Sequence, residues 1–123
     1  MKVVFSLVAV MCLLFVVSCT KDYYEQPDTL PQNVSFLNDV IPIFNANCIS
    51  CHNDGGTAPN LSADKAYGAL ISGAGLVIPG NPEESELYHR IMGQGSMMPP
   101  GGMMSHSNID LIYLWIKEGA LNN

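Results

Sequence analysis

Two thiols and an imidazole fall within five residues of this chain, Cys48-Ile49-Ser50-Cys51-His52. No other stretch constrains the fold as tightly. The spacing C-x-x-C-H is that of a c-type haem attachment site. Thiols two residues apart can add to the two vinyl groups on one porphyrin edge. The imidazole that follows is then held under the iron as an axial ligand. Three other readings use the same side chains. A thioredoxin-like redox pair needs a neighbouring βαβ pattern, and the sequence offers none. A zinc site normally takes four ligands, and beyond the motif only His89 and His106 could contribute. The third is a plain disulfide between Cys48 and Cys51.

The front of the chain bears on that choice. Lys2 supplies a positive start, and Val3 to Val17 is almost unbroken apolar sequence. The run is short for a membrane span and has the layout of a secretory signal; an uncleaved anchor helix is the alternative. Val16-Val17-Ser18 ahead of Cys19 resembles a lipobox, in which the signal (1–18) is removed and the cysteine, Cys19, is lipidated. Thr20 rather than Asp follows Cys19, which leans toward the outer membrane. Either way the domain is expected in the cell envelope, tethered to a membrane and facing the periplasm or the surface. Cys12 goes with the signal and Cys19 with the lipid, so only Cys48 and Cys51 remain. Export would favour a disulfide, but haem addition consumes both thiols, and bacterial c-type haem is attached outside the cytoplasmic membrane.

Residues 20–33 are polar, hold two prolines and show neither helical nor strand periodicity. With Cys19 they read as a lipidated linker, able to reach about 46–50 Å when extended at ~3.3–3.6 Å per residue. Residues 34–123 form one domain of about 90 residues, too small for much core of its own. A buried porphyrin would supply the missing apolar surface. Without Lys2, four basic and eleven acidic side chains leave a net charge of −7. That argues against nucleic acid and suits a redox partner with a basic docking face, although plain solubility explains it equally well.

The domain reads as helical. Ser35 can cap a helix in which Phe36, Leu37, Val40, Ile41 and Phe44 recur at helical spacing, with Pro42 distorting or interrupting it. The glycines after His52 permit a close loop. Ser62 to Ile71 reads as a short helix with Ser62 as cap. Leu76-Val77-Ile78 is too short to argue a sheet. Asn81-Pro82-Glu83-Glu84 predicts a helix start leading to an apolar face of Leu87, Tyr88, Ile91 and Met92, ended by Gly93 and Gly95. The last helix is expected from Ser105 or Ser107 to Glu118, stopped by Gly119, with Ile109, Ile112, Tyr113 and Ile116 on one face and Leu111, Leu114 and Trp115 beside it.

Several segments carry a family likeness. Besides the C-x-x-C-H, Ala58-Pro59-Asn60-Leu61 is similar to a G-P-N-L segment, Met98-Pro99 lies in a glycine-rich loop before the final helix, and Trp115-Ile116-Lys117-Glu118-Gly119-Ala120 is similar to a W-I-x-x-G-A ending. Over roughly residues 35–119 the chain resembles a small class I monohaem cytochrome c, here on a bacterial lipoprotein. The resemblance implies an all-α fold of three to five helices around one covalent haem c. It implies that the Pro59 carbonyl accepts from Nδ1–H of His52, leaving Nε2 for iron. It also implies that Leu61 packs on the haem face, that Phe44 packs on the last helix beside the haem edge, and that Met98 is the sixth ligand. From the residues alone, Pro59 and Leu61 also fit a turn followed by a core leucine, and methionines also fill gaps in small cores. Met97, Met103 and Met104 could replace Met98 by a small loop shift. His89 and His106, both expected at the surface, are rival ligands that would lower the potential. Trp115 fits a helix contact better than an electron conduit.

The function implied is one-electron transfer, with no acid–base pair or nucleophile that would make the protein an enzyme. If Met98 does not bind, an open iron position would suit a gas-binding sensor or a weak peroxidase. A third reading is an accessory electron-transfer subunit of a separate periplasmic oxidoreductase.

Overall fold

The computed structural model describes residues 31–123. The signal, the Cys19 lipid site and most of the tether lie outside the described residues. Within them the architecture is all-helical, with no strand. A π-helical turn, Phe36–Val40, runs into α1 (Ile41–Asn47). Then come α2 (Ala66–Ser72), a 3-10 turn (Pro82–Glu84), α3 (Glu86–Ile91) and α4 (His106–Lys117).

Pro42 explains the first irregularity. Proline cannot donate to the ladder and its ring crowds the carbonyl four residues back. The chain meets this by widening ahead of it: the Ile41 N–H reaches five residues back to the Phe36 carbonyl. Pro42 then occupies the first turn of α1, where its missing N–H costs nothing. Ser35 caps as expected, accepting from the Asn38 N–H at 3.1 Å, while Asp39 accepts from the Ser35 N–H at 2.7 Å. Leu37 departs from expectation. The π turn rotates it off the apolar face, and it is 61% exposed.

Two other helix starts differ from the sequence reading. Residues 62–65 wind as a turn, with the Ser62 carbonyl accepting from the Lys65 and Ala66 N–H groups, so α2 begins only at Ala66. The helix expected from Pro82 breaks at Ser85. This fully buried serine has extended backbone. Its hydroxyl donates to the Asn81 carbonyl and accepts from the Ile78 N–H, both at 2.9 Å. The break is thus held by a tertiary bridge to the preceding loop.

The core is the seam between the first helical segment and α4. Phe36 is its hub: its ring stands edge-on to Tyr67 (5.4 Å) and Phe44 (6.3 Å) and lies tilted on Trp115 (4.9 Å). Such aromatic pairs contribute about 0.5–1.5 kcal/mol each beyond burial. Ile109, Ile112, Leu114 and Ile116 complete the buried face of α4, and Trp115 Nε1 donates to the Leu121 carbonyl at 2.9 Å. Asn123 closes the seam. It accepts from the N–H groups of Phe36 (2.8 Å, by Oδ1) and Leu37 (2.9 Å, by its carbonyl), and so satisfies donors that the first helical turn leaves open. Glu118 does the same one step earlier, accepting from the N–H groups of Asn33 (3.0 Å) and Val34 (2.8 Å).

Candidate haem-binding site

The motif is wound as one more helical turn on the end of α1. Cys48 caps that helix through its N–H to the Phe44 carbonyl (2.8 Å), and the Cys48 carbonyl accepts from Cys51 (3.2 Å) and His52 (3.0 Å). Both thiols are free rather than joined. Cys51 is exposed and Cys48 half-buried, and burial pushes the Cys48 thiol up to about 11.

The loop after His52 folds back on the motif. Thr57 donates its N–H to the Cys51 carbonyl (2.8 Å), and Leu61 donates to the His52 carbonyl (2.8 Å). Gly56 is required there, because a Cβ would stand 2.3 Å from the Cys51 oxygen. The folding brings two carbonyl oxygens to one ring nitrogen. His52 Nδ1 is 3.1 Å from the oxygen of Thr57 and 3.2 Å from that of Pro59. Carbonyls only accept, so Nδ1 must carry the proton, and in the neutral ring Nε2 keeps its lone pair. The Pro59 carbonyl thus lies where the resemblance implied. The Thr57 carbonyl is an acceptor that sequence reasoning missed, since it belongs to the main chain and depends on loop path alone. Leu61 is buried at 4% within the polypeptide core.

Asp54, Asn60 and Lys65 join the two ends of this loop. Asp54 Oδ1 accepts from Lys65 Nζ and, at 2.7 Å, from Asn60 Nδ2. The hydrogen bond and charge of Lys65 hold the Asp54 carboxyl below its ordinary range. Asn60 Oδ1 in turn accepts from the Ser62 N–H at 3.0 Å.

Met98 lies in the loop between α3 and α4. Its N–H donates to the Arg90 carbonyl (3.0 Å), and Arg90 itself is held by Glu86 (2.5 Å) and donates to the Ser96 carbonyl (3.3 Å). A turn follows, closed by Gly102 N–H to the Pro99 carbonyl at 3.2 Å. Met98 is half-buried. Met97 and Met103 are exposed, and Met104 is buried in the core. Of the rival histidines, His89 is half-buried and not turned wholly to solvent, with Nε2 2.6 Å from the Glu83 carbonyl. His106 is exposed as the first residue of α4.

The donor set fits haem iron. It comprises an imidazole whose Nδ1 is turned to carbonyls, a half-buried thioether on a pinned loop, and two unjoined thiols. It does not fit a closed zinc site, because among the described residues no three His, Cys, Asp or Glu side chains are grouped to hold a metal ion. A separate cleft of about 470 Å³ lies against Val34, Trp115 and Glu118 and shares no residue with the motif.

The family model described as Planctomycete cytochrome C matches residues 48–102. The matched segment runs from the first motif cysteine to the glycine pair beyond Met98. It is under half of the chain and omits both α1 and α4. No match to a curated protein or to a solved structure was found.

Proposed function

We propose that this protein is a monohaem c-type cytochrome that carries single electrons in the cell envelope, tethered through a lipidated Cys19. The observation that carries the reading is the C-x-x-C-H turn, with both thiols free and His52 held at Nδ1, at the head of a segment similar to the Planctomycete cytochrome C family. Bound through thioethers at Cys48 and Cys51, the haem would supply an iron that alternates between ferric and ferrous states. The chain's own residues do the rest. His52 presents Nε2 as axial donor, and the Thr57 and Pro59 carbonyls fix its tautomer. Met98 offers an uncharged thioether on a loop pinned by Arg90. Its softness suits either iron charge, and a His/Met pair raises the potential over two histidines. The acidic surface favours a redox partner with basic docking residues, and no nucleic acid is expected.

The deciding experiment is expression in a haem-attaching host. Denatured, solvent-extracted protein should keep the absorbance of one haem per chain, and its native ferric form should be low-spin. Colourless extracted material overturns the reading. A high-spin haem that binds carbon monoxide would replace the carrier with the gas-binding alternative.

A further inference from the structure

We propose that Asp54, with Asn60 and Lys65, is a positioning residue for His52: a side-chain strap across loop 53–60 that keeps a second carbonyl on the axial imidazole. The proposal rests on His52 being the iron ligand.

Residues 54 to 60 form a closed loop, and its two carbonyls reach the same Nδ1 by different supports. Thr57 is held from behind, through its N–H on the Cys51 carbonyl and through Gly56, where a side chain would collide with that oxygen. Pro59 itself has no N–H to anchor its carbonyl. Two ties hold that end of the loop: the Leu61 N–H on the His52 carbonyl at 2.8 Å beyond it, and, next to Pro59, the Asn60 side chain, bonded to Asp54 at 2.7 Å and to the Ser62 N–H at 3.0 Å. Lys65, the N-cap residue just before α2, bonds the same Asp54 oxygen. The strap therefore joins the far end of the loop to the helix that follows it.

Stability does not explain this arrangement. The side chains of Lys65 and Asp54 are 48% and 71% exposed, and exposed pairs contribute little to folding. Geometry explains it better. One N–H shared between two carbonyls gives the ring more electron density than one acceptor does, and a ring that donates more strongly favours the ferric iron. When the strap is lost, the Thr57 carbonyl keeps its supports, while the Pro59 carbonyl keeps only the Leu61 tie and moves away from Nδ1 more often. The ring then donates less to the iron and the potential rises.

The test uses the full chain matured in a haem-attaching host and labelled with ¹⁵N-histidine, as wild type, Asp54→Ala, Asp54→Asn and Asp64→Asn. The readouts are solvent exchange of the His52 Nδ1 proton, the midpoint potential and the melting temperature. Asp54→Ala should speed exchange at least tenfold and at least triple the reduced-to-oxidised ratio at a fixed ambient potential, with little change in melting. Asp54→Asn keeps an acceptor for Asn60 and should recover most of both effects. Asp64→Asn alters charge beside Lys65 but leaves the strap, and should leave exchange at the wild-type rate. Unchanged exchange in Asp54→Ala overturns the strap, as does an equal shift of potential in Asp64→Asn. Failure of the haem reading is seen separately as a colourless protein, in which the exchange of the His52 proton still decides the strap.

Discussion

The Nδ1 atom of His52 lies 3.2 Å from the carbonyl oxygen of Pro59, seven residues along the chain. A single loop therefore both follows the motif and orients it. The ring cannot turn to offer Nδ1 outward without abandoning that carbonyl and the one at Thr57. His52→Ala removes the proposed axial donor and leaves both thiols in place. Haem joined through thioethers stays on the chain after denaturation, so the change should be read in the native protein, whose ferric haem should turn from low-spin to high-spin. A low-spin spectrum in the variant would remove His52 from the site.

Met98 is separated from Met97 and Met103 by burial. Met97 and Met103 are 38% and 48% exposed, whereas Met98 is half-buried with its N–H fixed to Arg90. Met98→Ala should abolish the ligand-to-iron charge-transfer band of the ferric protein and turn the haem high-spin. Met97→Ala and Met103→Ala should leave the band in place. Retention of the band in Met98→Ala would move the sixth ligand to another side chain.

Gly56 and Gly68 give opposite expectations for one substitution. At Gly56 an added Cβ meets the Cys51 oxygen at 2.3 Å, while at Gly68, within α2, it meets nothing within 4 Å. Gly56→Ala should cost about 1–3 kcal/mol by overpacking. At ~4–8 °C per kcal/mol for a domain of this size, that is readily measured by thermal melting. Gly68→Ala should stabilise by about 0.4–1 kcal/mol, because alanine restricts the unfolded chain and suits a helix. Equal effects at the two sites would contradict the packing of the loop on the motif.

Local chemistry was legible in the sequence, and tertiary bridges were not. Ser35 caps its helix as read, whereas Ser62 does not cap α2 and Asn81 makes no side-chain cap bond; α4, capped by Ser105, runs close to the bounds that its apolar period and Gly119 suggest. Pro42 announced an irregularity, but not that a π turn would absorb it and swing Leu37 outward. Ser85 breaks the helix after Pro82 through bonds to Ile78 and Asn81 that no pattern in its own segment encodes. The site divides in the same way. Cys48, Cys51 and His52 are proposed from spacing alone. The Thr57 carbonyl and the Asp54–Lys65 pair follow only from the path of a glycine-permitted loop.

Phe36 is the ring through which α4 is joined to the first helical segment. It is 2% exposed and pairs with Phe44, Tyr67 and Trp115. Phe36→Ala should cost about 3–5 kcal/mol by transfer and cavity terms, a large share of the stability of a small domain. Denaturant melts of the haem-loaded protein should show the midpoint falling with little change in slope. A loss below about 1 kcal/mol, the scale of an ordinary surface change, would show that this seam does not hold the fold.

The two motif thiols differ enough to be told apart before haem is attached. Cys51 is exposed, whereas Cys48 is half-buried with its thiol pushed up to about 11. At pH 8 such a thiol is only about one part in a thousand thiolate, against roughly a quarter for an ordinary cysteine, and the thiolate is the reactive form. In folded, reduced, haem-free chain, iodoacetamide should therefore modify Cys51 ~10-fold or more ahead of Cys48, as read by peptide mass spectrometry. In denaturant the two should react alike. The sign for stability follows from the same shift. Because the folded value is raised, the neutral thiol adds stability that is fully present below about pH 9 and is lost as pH rises toward 11. That alkaline loss should vanish in Cys48→Ala and in haem-loaded protein, where thioethers leave no thiol to titrate or alkylate. Modification of Cys48 first in the folded chain would contradict its burial, and alkylation of either sulfur in the haem-loaded protein would contradict the thioether attachment.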